Sequence, residues 1–532
     1  MKTPFFSRDV LSHSAFSFNH FQSFPPAKFS RSLLAAAGVM FLAPLAYGQA
    51  TNLGSEAIGS TTSATAVTVT LTASETLGTI NVLTQGATGL DFANASGGTC
   101  TVGTGYNSAD TCTVNVTFTP QSAGTRYGAV VLQDGSGNVI GNSYLQATGT
   151  GPQTTFLPGT ESVVGSGFSY PEGVAADGSG NLFIVDTYNN RVVKETLAAG
   201  TYTQSVVPTS SLVIPEWVSI DGAGNLYITD TGNNRVLKET LSPGGSYTES
   251  VLSTTTLNDP FCAAVDGNGN VYVADYLNNR ILKETLSGSS YTESTITISD
   301  LNGPEALAVD SVGNVFFVDD SNRLVKMTLS GSTYSEGVIA TSSLADPYGV
   351  AVDPNSNVYV SDSGNGRILK ETPASSSTYT ESTVTTSTLW VPMEVGVDGG
   401  GNVYIADLAN NRVVKEDLAD VPTLAFASTA QGATSTDSPR TVTVNNVGNS
   451  SLTFSAVSFP TDFPENTPAP TDCTSSTVLA AATTCTLTID FSPTALINGG
   501  NPNLLTEGVG VTTNTLNVST PQTVTVTGTE TP

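Results

Sequence analysis

Acidic and aromatic residues recur at one position of the sequence, directly after a proline that returns six times. Trp217 and Glu394 stand one position later in two of the copies. If these side chains meet in space, carboxylates beside aromatic rings form a binding site for a cation, an amine or a sugar. The alternative is that they are unrelated, solvated loop residues. The residues directly after the six prolines are Glu172, Glu216, Phe261, Glu305, Tyr348 and Met393.

The carboxylates also allow metal chemistry. Glu172, Glu216 and Glu305 are candidate ligands of calcium or another divalent ion, or a candidate general acid and base. The Asp-Gly-x-Gly-Asn turns offer further oxygen ligands, but they lack the twelve-residue loop and terminal glutamate of an EF-hand. We therefore expect ordinary tight turns and no cofactor, with a divalent cation at the three glutamates as the alternative. These turns begin at Asp177, Asp221 and Asp266.

Histidine is confined to the start of the chain. Both copies, His13 and His20, lie within residues 1–50. The remaining residues therefore have neither a His-ligated zinc site nor a histidine general base. The sequence also has no G-x-S-x-G nucleophile motif. These observations favour a non-enzymatic protein over a carboxylate-based enzyme.

The elements that position these residues are copies of one repeat. The first copy reads PEGVAADGSGNLFIVDTYNNRVVKETL over Pro171 to Leu197. Its period of 43 to 45 residues is typical of propeller blades rather than helical repeats. Each copy holds apolar, β-favouring runs separated by Gly and Asn turns, which predicts four antiparallel strands. The later copies begin at Pro215, Pro260, Pro304, Pro347 and Pro392.

The last copy ends without a fourth strand. It runs out after Leu418, whereas Thr160 to Val164, ahead of the first copy, has the character of the missing strand. We predict that the segment from Thr155 to Val164 completes the sheet of Asn402 to Leu418 and closes a ring. The predicted fold is all-β, with a six-bladed β-propeller closed by an amino-terminal latch strand.

The pattern P-x-G-V-A-x-D-x-x-G-N-[LV]-[YF]-[IV]-x-D-x-x-N-N-R-V resembles the NHL repeat, and its six copies cover about half of the chain. Two enzyme types with a similar propeller, the peptide-amidating lyase and the streptogramin lyase, depend on histidines, which residues 51–532 lack. Gluconolactonase-like propellers instead hold a divalent metal with carboxylates and an Asn. In this fold the segment after each proline enters the innermost strand, so the eight acidic, aromatic and methionine side chains named above should gather near one mouth of the central channel. The resemblance therefore leaves open a metal-assisted hydrolase or lyase at this channel mouth.

Other recurring residues are explained by the repeat itself. An Asp precedes an Arg by five positions in five copies and by four positions in the fourth. We interpret each pair as an ion pair or a hydrogen-bonded brace across a hairpin. The pairs are Asp186–Arg191, Asp230–Arg235, Asp275–Arg280, Asp319–Arg323, Asp362–Arg367 and Asp407–Arg412.

Cys262 is either a buried small residue of an inner strand or a reactive thiol, and we favour the first.

Residues 1–50 have the character of an export signal. Lys28 and Arg31 precede an apolar run, Leu33 to Tyr47, that ends in small residues. The segment is either cleaved after Ala50 or retained as a membrane anchor, and we expect no other membrane span. The predicted location is secreted, periplasmic or cell-surface.

The charge balance restricts the partners. Residues 51–532 contain 14 basic and 44 acidic residues. Such a surface repels nucleic acid and anionic lipid. We therefore expect no nucleic-acid partner. The expected ligand is a protein, a peptide or a glycan, and the expected state is a monomer.

The repeats are flanked by two similar regions, residues 51–152 and 421–532, whose Thr, Val and Gly alternation predicts β-sandwiches. We pair Cys100 with Cys112 and Cys473 with Cys485, because an exported protein can oxidise them. These regions resemble the immunoglobulin-like domains, related to the abnormal-spindle and hydin type, that flank repeats in bacterial surface proteins.

The predicted organisation is thus an export segment (1–50), a sandwich (51–152), a propeller (153–420) and a second sandwich (421–532). The predicted function is binding or scaffolding at one mouth of the propeller channel, without catalysis. The alternative is a gluconolactonase-like hydrolase or lyase that acts at the same mouth.

Overall fold

The computed structural model describes residues 49–242, 244–252, 254–466, 469–494 and 502–532 of the 532-residue chain. The predicted export segment lies almost entirely outside the described residues. Within them the fold is all-β, with 40 strands and five one-turn 3₁₀ helices. No helix in these ranges has the length and apolar character that a bilayer crossing requires.

The first region consists of two sheets, here called the first sheet pair. A five-stranded sheet has the order β1-β8-β7-β3-β5, and a three-stranded sheet has the order β2-β6-β4. The alternation of β6 buries Cys112, Val114, Val116 and Phe118 and turns the polar residues between them outward. The strands are β1 (Thr51–Ala57), β2 (Thr65–Thr70), β3 (Glu75–Thr84), β4 (Phe92–Asn94), β5 (Gly105–Tyr106), β6 (Thr111–Phe118), β7 (Gly124–Asp134) and β8 (Val139–Thr150).

Two short strands follow, β9 (Thr154–Leu157) and β10 (Thr160–Val164). The repeats then form six four-stranded antiparallel sheets, here called ring sheets 1 to 6. Ring sheet 1 contains β11 (Pro171–Ala176), β12 (Leu182–Asp186), β13 (Arg191–Ala198) and β14 (Thr201–Val207). Ring sheet 2 contains β15 (Pro215–Ile220), β16 (Leu226–Asp230), β17 (Arg235–Leu241) and β18 (Tyr247–Val251). Ring sheet 3 contains β19 (Pro260–Val265), β20 (Val271–Asp275), β21 (Arg280–Ser287) and β22 (Ser290–Ile296).

The second half of the ring repeats the pattern. Ring sheet 4 contains β23 (Pro304–Val309), β24 (Val315–Asp319), β25 (Arg323–Ser330) and β26 (Thr333–Ile339). Ring sheet 5 contains β27 (Pro347–Val352), β28 (Val358–Asp362), β29 (Arg367–Pro373) and β30 (Tyr379–Val384). Ring sheet 6 contains β31 (Pro392–Val397), β32 (Val403–Asp407), β33 (Arg412–Asp417) and the early strand β10.

The first strand of each ring sheet packs against the first strand of the next, and β31 packs against β11, so the sheets form a closed ring. The second strands, such as Leu182–Asp186, are buried along their whole length because a neighbouring sheet covers each face. The turn after them is usually a 3₁₀ helix that ends in a left-handed residue. The 3₁₀ helices are Thr187–Asn189, Thr231–Asn233, Tyr276–Asn278, Ser363–Asn365 and Leu408–Asn410.

The ring is closed by the strand pairing that the sequence predicts, but with a shorter segment. β10 lies antiparallel to β33, with Thr160 opposite Asp417 and Val164 opposite Val413. The preceding β9 leaves the ring and pairs with β35 of the last region, Phe156 opposite Val444. The prediction was therefore wrong for Thr155 to Leu157, because the chain changes sheets between β9 and β10.

The last region forms the second sheet pair. Its sheets have the orders β34-β40-β39-β36-β37 and β38-β35-β9. Both predicted disulfides are present, Cys100–Cys112 and Cys473–Cys485. The strands are β34 (Thr423–Ala430), β35 (Arg440–Asn446), β36 (Leu452–Ser458), β37 (Val478–Leu479), β38 (Thr484–Ile489), β39 (Asn503–Thr513) and β40 (Gln522–Thr531).

Candidate functional site

The eight residues predicted at the channel mouth all begin the innermost strands of the ring. Each strand starts with a proline opposite a buried Asp, and an irregular register follows within the next residues, as between Pro260 and Cys262. Such a bulge redirects side chains. Phe261 of ring sheet 3 and Tyr348 of ring sheet 5 stack with ring centroids 6.1 Å apart, although these sheets are not neighbours. The aromatic side chains therefore meet across this end of the channel.

Most of the predicted cluster is shielded from water. Glu172 and Tyr348 are half-buried, and the other six side chains are buried. The structure thus brings these residues to one end of the ring, but as a packed layer rather than an open, solvated cluster. A binding role for them stays a prediction. The buried members are Glu216, Trp217, Phe261, Glu305, Met393 and Glu394.

Glu394 has a defined contact in this layer. Its carboxylate accepts a hydrogen bond from the Val174 backbone N–H at 2.5 Å, which joins ring sheet 6 to ring sheet 1. Burial raises the pKa of Glu394 well above its usual value. The contact lies where the first and last repeats meet, so it stabilises ring closure.

The metal alternative finds no support in the geometry. Across the described ranges, no group of three or more His, Cys, Asp or Glu residues is arranged to hold a metal ion. A metal-ligand role for Glu172, Glu216 and Glu305 stays a prediction. In the Asp-Gly turns, the Asp177 carboxylate accepts hydrogen bonds from the backbone of Ser179 and from the backbone and side chain of Asn181. These oxygens brace the turn itself.

The repeated Asp–Arg pairs are ion pairs with N–O distances of 2.6 to 2.7 Å. Each Asp side chain is fully buried, while its Arg remains partly exposed. Asp275, for example, also accepts hydrogen bonds from the Asn258 backbone and the Asn278 side chain. These carboxylates are thus committed to holding the hairpin and the preceding loop.

Cys262 is fully buried, and its Sγ lies 3.4 Å from the Leu307 backbone N–H, which donates to it. Burial raises the pKa of the thiol well above its usual value. A thiol that is buried and protonated is unreactive, in agreement with the interpretation as a small core residue.

The first sheet pair covers the opposite mouth of the ring, where the Asp-Gly turns lie. The Tyr144 hydroxyl donates to Asp221 of ring sheet 2 at 2.7 Å. The Thr125 backbone N–H donates to the Pro354 carbonyl of ring sheet 5 at 2.9 Å. A Cβ atom on Gly222 would lie 2.4 Å from the Gly128 carbonyl oxygen, so this close approach requires glycine.

A polar cavity of about 280 Å³ lies between this cover and the ring. Arg126, a buried residue of β7, lines it and forms an ion pair with Asp91 at 2.6 Å. Sequence reasoning missed this site, although Arg126 is one of only two basic residues after residue 50 that lie outside the repeats. The carboxylates of four turns also line the cavity, Asp177, Asp310, Asp353 and Asp398.

The face of the ring opposite this cover carries a group of apolar residues, here called the apolar rim. It consists of the exposed Tyr188, Val213, Ile214 and Trp390 and the half-buried Tyr170. Trp390 is 62% exposed and Tyr188 is 61% exposed. The rings of Tyr170 and Tyr188 stack, with centroids 4.4 Å apart. The rim spans the adjoining ring sheets 6, 1 and 2. Sequence reasoning missed it because most of these residues precede the repeated prolines and differ between copies.

The residue before each proline has a left-handed backbone. In ring sheets 3, 4 and 5 it is Asp259, Gly303 and Asp346, types that accept a positive φ. In the three sheets of the apolar rim it is Tyr170, Ile214 and Val391, with φ of 54°, 46° and 58°. Ile and Val are β-branched, and this conformation strains them. Bulky residues therefore stand where the local backbone favours small or polar ones.

Comparison with known proteins identifies the repeat. The NHL repeat model matches residues 168–194 and 344–370. No curated protein matches the chain. A virginiamycin B lyase from Staphylococcus aureus is 17% identical, covering 50% of this chain and 89% of that chain with a TM-score of 0.36.

Two further solved structures are similar to about half of this chain. A gluconolactonase from Xanthomonas campestris is 12% identical, covering 50% of this chain and 94% of its own, with a TM-score of 0.41. The PQQ-bound aldose sugar dehydrogenase from Streptomyces coelicolor is 11% identical, covering 50% of this chain and 98% of its own, with a TM-score of 0.35. Two of the six repeats thus match the NHL repeat, the one that forms ring sheet 1 and the one that forms ring sheet 5.

Proposed function

We propose that this chain is an exported, non-enzymatic binding or scaffolding protein. The six ring sheets are the blades of one propeller, and the sheet pairs are immunoglobulin-like modules on either side of it. The propeller presents one face to a protein, peptide or glycan partner. The domain limits are those of the sequence prediction, except that β9 belongs to the second sheet pair.

The observation that carries the proposal is the difference between the two faces of the ring. The first sheet pair covers one face through hydrogen bonds such as that from Tyr144 to Asp221. The other face carries the apolar rim, where a large aromatic side chain, Trp390, is 62% exposed. Exposed aromatic residues that cluster on one surface are typical of interaction sites. The partner surface is thus the rim around the mouth rather than the buried residues inside it.

The rim is a connected surface. The Tyr170 backbone N–H donates to Asn411 of ring sheet 6, and the Ile214 backbone N–H donates to Asn190 of ring sheet 1. These bonds tie the loops of three sheets together, so Trp390, Tyr188 and Ile214 are held on one rigid scaffold. Rigid aromatic residues bind a partner at a low cost in conformational entropy.

The charge and the cysteines support the remaining parts of the proposal. The formal net charge of −27 disfavours nucleic acid. The two disulfides indicate an oxidising environment, such as the cell exterior or a periplasm. The basic residues of the repeats are paired with carboxylates or packed on aromatic rings, as Arg191 and Lys238 are. They therefore do not form a patch for an anionic partner.

Trp390 supplies the test. The other tryptophan, Trp217, is buried, so a Trp217→Phe variant has one fluorescent tryptophan on the rim. Peptides and glycans are first selected by array binding to the protein from Thr51 to Pro532. Each hit is then titrated against the variant. We expect the Trp390 emission to shift to shorter wavelength, because a partner removes the ring from water.

A matched pair of substitutions distinguishes the rim from other apolar surface. Trp390→Ala should weaken binding at least tenfold, which is roughly 1.4 kcal/mol. Val478→Ala changes a residue of the second sheet pair that is 60% exposed, and it should leave binding unchanged. A ligand whose affinity is the same for both variants would place the partner surface elsewhere.

A further inference from the structure

Lysines of the ring sheets lie between two aromatic rings. Lys238 Nζ is 5.4 Å from the centre of the Tyr227 ring in its own sheet and 5.6 Å from that of Tyr291 in the next sheet. It also donates to the Tyr291 hydroxyl at 3.4 Å. Lys283 has the same arrangement with Tyr272 and Tyr334. A tyrosine from the next sheet therefore completes each aromatic cage.

The register of the fourth strand places this tyrosine. Lys283 lies opposite Ser294, and Tyr291 stands three residues before that serine. Lys370 lies opposite Ser382, and Tyr379 again stands three residues before it. The same spacing holds in the first five ring sheets. The tyrosines are Tyr202, Tyr247, Tyr291, Tyr334 and Tyr379.

Ring sheet 6 breaks the pattern, because its fourth strand comes from another part of the chain. In β10, Ser162 lies opposite Lys415, and the residue three positions earlier is Gly159. The tyrosine position of this strand therefore has no side chain beyond hydrogen. At the other junctions this tyrosine packs on the lysine of the preceding sheet, and the corresponding lysine here is Lys370 of ring sheet 5.

A groove of about 820 Å³ lies beside Lys370. Lys370 Nζ is 5.2 Å from the centre of the Tyr359 ring, which covers one face of the ammonium group. Leu157 and Leu418 line the groove, and Asn445 of the second sheet pair contributes to its far wall. Leu157 packs against the same apolar cluster as Tyr359 but offers no hydroxyl group. Burial lowers the pKa of Lys370, since water around the amine is restricted.

We propose that this groove is a binding site for a 4-hydroxyphenyl group, which would occupy the place that tyrosine fills at the other sheet junctions. Those junctions show the contacts. The hydroxyl of Tyr334 lies 3.5 Å from Lys283 Nζ and 3.4 Å from the hydroxyl of Tyr272. Lys370 Nζ and the hydroxyl of Tyr359 are the corresponding groups here. Tyr359 is 2% exposed, and Leu157 and Leu418 pack in one apolar cluster with it, so the ligand ring must displace these leucines to reach the hydroxyl. The site is independent of the apolar rim and of any partner bound there.

The first experiment titrates the protein from Thr51 to Pro532 with p-cresol and, separately, with toluene, by isothermal calorimetry and ligand-observed NMR. We expect one site per chain for p-cresol and about tenfold weaker binding of toluene, which lacks the hydroxyl. Lys370→Met should remove that preference. Lys283→Met, at a junction that keeps its own tyrosine, should not.

A second variant tests the proposal by a gain of function. Tyr334→Ala empties the cage at Lys283 and should raise the number of p-cresol sites from one to two. Failure of p-cresol to bind the unaltered protein at millimolar concentration would overturn the proposal. So would binding that survives Lys370→Met unchanged. If Lys370→Met does not fold, protection of Lys370 from reductive methylation by p-cresol, read by mass spectrometry, decides the same question.

The source of the phenol is distinguished by comparing two ligands. A short peptide, acetyl-Ser-Tyr-Thr-Glu-amide, carries the ring on a backbone like that of the native fourth strands. Affinity more than tenfold above that of p-cresol would identify a tyrosine within a polypeptide as the occupant. Equal affinity would identify a free phenol. Either result supports a site that binds a 4-hydroxyphenyl group.

Discussion

Glu284 and Glu293 lie directly opposite each other on the neighbouring strands β21 and β22. Burial and the neighbouring Glu293 raise the pKa of Glu284 to about 7. Burial also raises the pKa of Glu293, but hydrogen bonds from Thr255 outweigh this effect and leave it below the usual value. One proton is therefore shared by two carboxyl groups. The other pairs are Glu239–Glu249, Glu371–Glu381 and Glu416–Glu161.

These pairs predict that stability falls as the pH rises through neutrality. A carboxyl group with a raised pKa stabilises the fold fully below its unfolded pKa of 4.5, and the contribution is lost as the pH rises through about 7. The partner glutamate, such as Glu293, has a lowered pKa, so its stabilising contribution is present above pH 4.5 and is lost as the pH falls below that value. Thermal unfolding at pH 5, 6.5 and 8 should therefore show a progressive loss of stability.

Glu284→Gln should remove the contribution of one pair, because an amide donates to Glu293 at any pH. At pH 9 the variant should exceed the original protein in stability by about 1 kcal/mol. Glu75→Gln, at an exposed position, serves as the control and should leave the pH profile unchanged. The same pH dependence in the Glu284 variant and in the original protein would contradict the shared proton.

The ion pairs predict unequal costs for two similar substitutions. Arg280→Ala leaves the fully buried carboxylate of Asp275 without its cation and should cost about 3 kcal/mol of unfolding free energy. Arg440→Ala breaks a pair with Asp437 in which both side chains are partly exposed, and should cost at most about 1 kcal/mol. Urea denaturation measures both values. Equal losses would show that burial of the Asp does not set the cost.

The contact between the first sheet pair and the ring predicts that loss of the Tyr144 hydroxyl group lowers stability. Burial raises the pKa of Tyr144 well above its usual value, so the hydroxyl keeps its proton and donates to Asp221. Tyr144→Phe should cost about 1 to 2 kcal/mol, because Asp221 is itself buried. Differential scanning calorimetry should then show unfolding of the first sheet pair at a lower temperature than the ring. Val102→Ala, at a position of the first region that is 56% exposed, should shift neither transition.

The strands could be predicted from the sequence because the repeat supplies the same local signals six times. Leu182 to Val185, an apolar run between Gly and Asn turns, is a strand in the structure. The change of sheet after Leu157 was missed, although Pro158-Gly159 is a turn signal inside the segment from Thr155 to Val164. Only the pairing of Phe156 with Val444, far along the chain, assigns β9 to another sheet.

The candidate site was harder to predict, because burial depends on neighbours that the sequence does not place. Glu216 and Glu305 follow prolines in turn-like positions, yet they are buried where the inner strands crowd around the axis. The covered mouth depends on contacts such as Tyr144 with Asp221, residues 77 positions apart. The apolar rim does have a sequence signal, since Tyr170, Ile214 and Val391 stand where the other three copies carry Asp or Gly.

The two tryptophans differ in burial, so the same substitution should cost very different amounts of stability at the two positions. Trp217 is 4% exposed in the main core of the ring, so Trp217→Ala removes a large packed side chain and should cost about 3 to 5 kcal/mol. Trp390 is 62% exposed, and Trp390→Ala should stay within about 0.5 kcal/mol. Chemical denaturation gives both values, and acrylamide quenching should act mainly on Trp390. If Trp217→Ala were as mild as Trp390→Ala, Trp217 would be free to bind a ligand at the channel mouth, and the mouth rather than the rim would be the partner site.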